Sequence, residues 1–156
     1  MITRLITSEE SADLRRRVLR PNLPAGTPSR SYPDRARHVG VLDNAGTVLG
    51  TCVVFPARCP WQPAAAAWQL RAMAVEPAWQ GQGIGGRVLA AATVEVKIGG
   101  GDLIWCHARQ TAVAFYARHG FIAHGEPFVQ AETGLPHLDM WRSLVREPVP
   151  APTSST

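Results

Sequence analysis

The spacing of hydrophobic positions changes along the chain, and each change marks an element. Residues 2–7, "ITRLIT", alternate apolar and polar, the repeat of a strand with one face buried. Thr7 and Glu10 then fit the S/T-x-x-E capping box, which predicts a helix from about Ser8 to Arg20, ended by Pro21. "PNLPAGTPSRSYPDRA" follows with four prolines and no period, so it reads as a loop. "HVGVLD" and "TVLGTCVVF" are strand-like runs on either side of Asn44-Ala45-Gly46, a hairpin signal. A second proline-rich connection, "PARCPWQPAAA", leads to the strand "AWQLRAMAV". From Gly83 to about Ile98 the period becomes helical, with Ile84, Val88, Leu89, Ala92 and Val96 near one face, and Gly99-Gly100-Gly101 stops it. "DLIWCH" reads as a short buried strand and "QTAVAFYARH" as a helix ending at Gly120. "FIAHGEPFVQ" and "LPHLDMWRSLV" are final strands around Glu132-Thr133-Gly134. The order β-α-β-β-β-α-β-α-β-β predicts an α+β fold: a mixed, mostly antiparallel sheet of about seven strands flanked by helices. One domain over residues 1–146 is expected, with a disordered polar, proline-rich tail at 147–156.

Composition narrows the class. The 156 residues suffice for one core, and 46% hydrophobic with 18% charged residues is ordinary for a globular protein. No run approaches the roughly 20 apolar residues needed to span a membrane, and the N-terminus has no long apolar stretch before a cleavage site. A cytoplasmic protein is the expectation. Cys52, Cys59 and Cys106 are odd in number and form no CxxC pair, which predicts reduced thiols in or near the core and neither a disulfide framework nor a metal site. The net charge of +4 suits an anionic small ligand. Arg15-Arg16-Arg17 reads as a solvated helix face, and no nucleic-acid motif is present.

The stretch "MAVEPAWQGQGIGG", Met73 to Gly86, carries the candidate chemistry. A strand ends at Val75, Pro77 blocks its extension, and a helix starts near Gly83. The first amides of a helix lack internal partners and lie at the positive end of its dipole. Glycines there remove the Cβ atoms that would hold an anion away, so Gly81, Gln82, Gly83, Ile84, Gly85 and Gly86 read as a backbone cradle for phosphate. The competing reading is a glycine-rich turn that only permits close packing. "GQGIGG" also matches the dinucleotide pattern GxGxxG, with Asp102 as the ribose acid. That pattern wants its first glycine directly after the strand, and here Glu76 to Gln80 intervene.

Gln80-x-x-Gly83-x-Gly85 after "MAV" resembles the acyl-CoA signature Q/R-x-x-G-x-G/A of the GNAT N-acetyltransferase family. "ARQTAVAFYARHGF" resembles that family's A-x-x-x-Y-x-x-x-G-F element, with Tyr116, Gly120 and Phe121 on the matching positions, and "GEPFVQAETGLPHLDM" resembles a subgroup with Pro-His near the last strand. The resemblance covers nearly the whole chain before the tail. It implies a GNAT-like fold and transfer of an acetyl group from acetyl-CoA, without a metal, to a primary amine of a small molecule or peptide. It implies that Met73, Ala74 and Val75 pair with the pantetheine arm and that the pyrophosphate lies on the amides from Gly81 to Gly86, with Gln80 shaping the turn. A backbone N–H near Ala74 or Val75 would polarise the carbonyl. Tyr116 would protonate the departing thiolate or hold its sulfur; a plain buried tyrosine is the alternative.

The sequence departs from the family at two places. "WQLRAM" has Gln69 and Arg71 but no carboxylate for a general base, and Arg109, counted with the cofactor-binding residues, stands where members often have Asn. His137, Glu126, Glu76 and His107 are the candidate bases, His137 first because an imidazole titrates near neutral pH. Loops 21–37 and 56–66 and the last hairpin would set specificity, with Trp61, Trp68 and Trp79 lining an acceptor pocket or lying in the core. A homodimer through edge or C-terminal strands is a further implication. Two rival functions are a non-catalytic acyl-CoA-binding module and a nucleotide-dependent oxidoreductase.

Overall fold

The computed structural model describes residues 1–28 and 30–145. The tail expected at 147–156 lies outside them. Seven strands form one sheet: β1 (Ile2–Ile6), β2 (Arg37–Leu42), β3 (Val48–Pro56), β4 (Ala67–Val75), β5 (Leu103–Arg109), β6 (Ile122–Val129) and β7 (Pro136–Ser143). The helices are α1 (Ser8–Leu19), α2 (Ile84–Ile98) and α3 (Val113–Arg118). Thr7 caps α1 in the expected box: its side chain accepts from the Glu10 amide, and the Glu10 carboxylate accepts from the Thr7 amide. The predicted helix at 110–119 is shorter than its pattern, since Gln110–Ala112 form a 3₁₀ turn and only six residues after it are α-helical.

The spatial order is β1-β2-β3-β4-β5-β7-β6, antiparallel throughout except for the parallel pair β4–β5. β7 inserts between β5 and β6, so the last hairpin folds back against the middle of the sheet. Successive strand residues face opposite sides. Ile104, Cys106 and Ala108 join α2 and Tyr116 in the main core, together with Val39, Val54 and Leu70. Trp105, His107 and Arg109 therefore face the other side, where the Arg109 guanidinium donates to the Leu19 carbonyl at the end of α1. Trp68 lies in the main core and is 3% exposed. Trp61 stacks on His124 in the region of a smaller cluster around Cys59 and Trp105. All three cysteines are free and buried; burial raises the Cys52 thiol to about 12 and raises Cys59 and Cys106 as well.

Candidate active site

β4 and β5 part company early. Their pairing covers only Ala67–Gln69 with Leu103–Trp105. Beyond it, β4 carries a bulge: Thr51 pairs with Ala74 but Val53 with Arg71, so Ala72 and Met73 share Cys52 as their opposite. Ala72 has φ 58°, a left-handed conformation that costs a non-glycine residue about 1–2 kcal/mol. A bulge bends its strand and increases its twist, and the bend turns β4 away from β5. The result is a cleft of about 1170 Å³ that penetrates the sheet.

The open edge of β4 is a row of unused backbone groups. The Glu76 amide donates to Leu49 on the β3 side. Strand alternation then directs Ala74 to β3 as well and turns Met73 and Val75 into the gap. The Val75 carbonyl accepts from the Gln80 side chain at 3.2 Å, which fixes the turn leaving the strand. Of the three residues expected at this edge, Met73 and Val75 thus offer free amides, whereas the groups of Ala74 belong to the sheet.

The glycine turn divides into two kinds of position. Gly81 and Gly83 have φ of 79° and 83°, and a Cβ on either would meet nothing within 4 Å. These two glycines set the backbone and leave space beside it. Gly83 caps α2 with no side-chain hydrogen bond, and the first bond inside the helix is Arg87 N–H to Gly83 O at 3.2 Å. The amides of Ile84, Gly85 and Gly86 have no hydrogen-bond partner among the described residues. Gly85 and Gly86 serve packing too: a Cβ on Gly85 would lie 2.9 Å from Phe115, and one on Gly86 would lie 3.1 Å from His119. They let α3 approach the first turn of α2, which sets the position of Tyr116. Gln82 does not line the cleft; its side chain donates to the Ala78 carbonyl at 3.2 Å. Asp102 sits before β5, beside the start of β4. The nine residues of β4 separate it from the glycine turn by about 30 Å at ~3.3 Å per residue, so it cannot hold a ribose bound there.

Tyr116 reaches the cleft from the α2 side and is 4% exposed. Its ring packs against Phe115 and Phe121, and its hydroxyl has no hydrogen-bond partner among the described residues. Burial pushes its pKa well above the ordinary tyrosine value, so the group stays protonated. From the opposite face, Arg71, His107, Arg109 and His137 reach the same cleft. Burial lowers the Arg109 pKa.

His137 is 3% exposed, with Nδ1 at 2.9 Å from the Leu135 carbonyl. His107 and Asp139 are directly opposed on β5 and β7, and His107 Nδ1 makes a short contact with the Asp139 carboxylate. Neither of the other two candidate bases lines the cleft: Glu76 is paired with Arg17 at 3.1 Å, and Glu126 is exposed on β6. Trp79 lines the cleft but Trp61 and Trp68 do not. Residues 21–36 and the β6–β7 turn contribute to it, whereas 56–66 do not, because that connection joins the far end of β4. The His107–Asp139 pair was missed because it depends on β7 lying beside β5. No helix among the described residues is long and apolar enough to cross a membrane, and none of their His, Cys, Asp and Glu side chains gather in threes as a metal site.

Comparison with known proteins bears on the family and the fold. A family profile described as an acetyltransferase (GNAT) domain matches residues 35–123. An uncharacterized N-acetyltransferase, YitI, of Bacillus subtilis strain 168 is 28% identical over 141 residues, covering 89% of this chain and 93% of that protein. The aminoglycoside 6′-N-acetyltransferase from Enterococcus faecium has the same fold, with TM-score 0.72 at 18% identity over 96% of this chain and 100% of the other. So does an aminoglycoside 6′-N-acetyltransferase complexed with coenzyme A, with TM-score 0.70, 18% identity and the same coverage. The chain belongs to the GNAT acetyltransferase family and is an N-acetyltransferase.

Proposed function

We propose that this enzyme moves an acetyl group from acetyl-CoA to a primary amine by direct attack, with Tyr116 and the His107–Asp139 pair handling the protons. The observation that carries this reading is the open edge of β4 beside the glycine turn: free amides at Met73 and Val75 run into unpaired amides at Ile84, Gly85 and Gly86. An amide-bearing chain that ends in phosphates matches that sequence of donors. The empty space beside Gly81 and Gly83 fits the bulk of a pyrophosphate. Acetyl-CoA supplies the activated thioester carbonyl.

The residues of the chain then divide the work. The Val75 amide, at the mouth of the turn, donates to the carbonyl oxygen as negative charge grows there. Tyr116, neutral and lacking a protein partner, gives its proton to the sulfur as the C–S bond breaks. A carboxylate can only accept, so Asp139 holds the His107 proton on Nδ1 and leaves the lone pair on Nε2 of a ring that lines the cleft. Nε2 takes the proton that the attacking amine loses. Solvent carries that proton from His107 back to Tyr116, which restores both groups. Asp139 positions His107 and does not itself touch a reactant.

The test is thiol release in H107Q and H137Q. The H107Q variant is expected to lose on the order of 10²–10⁴ in kcat with little change in acetyl-CoA affinity. H137Q should lose less than tenfold. An H107Q enzyme within threefold of the parent would remove His107 from the mechanism.

A further inference from the structure

The face of the cleft that carries His107 is cationic. Arg20 at the end of α1, Arg30 in the following loop, Arg71 on β4 and Arg109 on β5 all line it. Glu132, in the β6–β7 turn, is the one carboxylate lining the cleft among the described residues. It pairs with Arg30 at 2.8 Å and is 57% exposed. Three guanidinium groups from three different elements, Arg20, Arg30 and Arg71, line the cleft with it, and Arg30, with Arg71 and Arg20 at longer range, holds its carboxyl below the ordinary value. Arg109 already donates to Leu19 O. Arg20 and Arg71 are half-buried and have neither an ion pair nor a side-chain hydrogen bond among the described residues.

Half-burial of an unpaired cation is unfavourable, and an anion that supplies hydrogen-bond acceptors offsets it. The phosphates of the donor do not reach these groups on the reading above: they lie at the glycine turn, on the α2 side of the sheet, near Arg118 and His119. The arginines belong to the half of the cleft from which the amine must approach His107.

We infer that the acceptor is an amine that also carries a carboxylate or phosphate, held by Arg71 and Arg20, and that polycationic amines are excluded. This rests on the acetyl-transfer reading. It also separates this chain from what the names of its aminoglycoside-acetylating structural neighbours would suggest, since an aminoglycoside would bring several positive charges against four arginines.

The experiment is thiol release by the full-length enzyme at saturating acetyl-CoA, after calorimetry has measured acetyl-CoA affinity. Free amino acids are compared with their carboxamides, O-phosphoethanolamine with ethanolamine, and kanamycin is the polycation. The best anionic amine should exceed its neutral counterpart at least tenfold in kcat/KM, the amino-acid and phosphate arms showing which anion is recognised. A charge-assisted pair typically contributes a factor of about 10 to 100. R71M should bring that ratio near one at unchanged acetyl-CoA affinity, and R71K should restore part of it. Loss of fold alone would lower both members of a pair and leave their ratio. The inference is overturned if no anionic amine is acetylated, if every ratio is below threefold, or if kanamycin is the best acceptor. Failure to bind acetyl-CoA at all would instead defeat the acetyl-transfer reading beneath it.

Discussion

Replacing Tyr116 with Phe removes one oxygen and leaves a buried ring against Phe115 and Phe121. Two magnitudes follow. The hydroxyl has no protein partner among the described residues, so its loss orphans no buried group, and stability should change by less than about 1 kcal/mol. Catalysis should suffer far more. A positioned proton donor contributes roughly 10²–10⁴ in rate, or about 3–5 kcal/mol of barrier. The assay is thiol release at saturating acetyl-CoA with the amine the parent enzyme acetylates fastest, beside a thermal melt and a calorimetric Kd. The expected pattern is an unchanged melt, a Kd within a few fold, and a kcat lower by at least a hundredfold. Because burial raises the tyrosine pKa, the group stays protonated as pH passes its unfolded value near 10. Above that value the unfolded chain ionises while the folded one does not, so stability is full below it and falls as pH rises from it toward the folded value. Turnover in the parent should therefore show no loss from tyrosine ionisation up to pH 9. A Y116F enzyme with kcat within threefold of the parent would refute the assignment.

Other consequences can be checked separately. Gly50→Ala places a Cβ 2.6 Å from Ile84 Cγ2 and 2.9 Å from Val88 Cγ2, where α2 presses on β3. Overpacking of this kind costs about 1–3 kcal/mol, so the melting temperature should fall by several degrees, and acetyl-CoA affinity should fall with it because Ile84 opens the glycine turn proposed to hold the pyrophosphate. Arg4 and the capping interaction lower the Glu10 carboxyl to about 2. A depressed carboxylate contributes above its unfolded value and loses that contribution as pH falls through the folded one. Stability should thus decline between about pH 4.5 and 2, and E10Q should flatten that part of an acid titration. β6 is both the sheet edge and a C-terminal strand, with Ile122 and Val129 exposed at 55% and 67%. If the implied homodimer forms there, sedimentation should show a dimer that I122K together with V129K converts to monomer.

Local chemistry was the most legible part of the sequence. The capping box, the hairpin at Asn44-Ala45-Gly46, the strand at 67–75 and the glycine turn all depend on neighbours within a few residues, and each appears where its pattern places it. What escaped depends on pairing at long range. No short pattern reveals that β7 lies between β5 and β6, yet that placement brings Asp139 to His107. The parting of β4 from β5 turns on Ala72, an alanine in a left-handed conformation that its residue type gave no reason to expect. The four glycines looked alike in sequence. Only the approach of Phe115 and His119 shows that two of them also serve packing. Loop 56–66 looked as suited to specificity as loop 21–37, but strand direction puts it at the wrong end of β4.

The most direct test of the account is calorimetric titration of the purified protein with acetyl-CoA, with NADH as the comparison and G83E as the control. The free edge of β4 and the open turn at Gly81 and Gly83 predict micromolar binding of acetyl-CoA, none of NADH, and loss of binding when a glutamate side chain enters that space. Absence of acetyl-CoA binding by the folded parent protein, or binding that survives G83E unchanged, would contradict it.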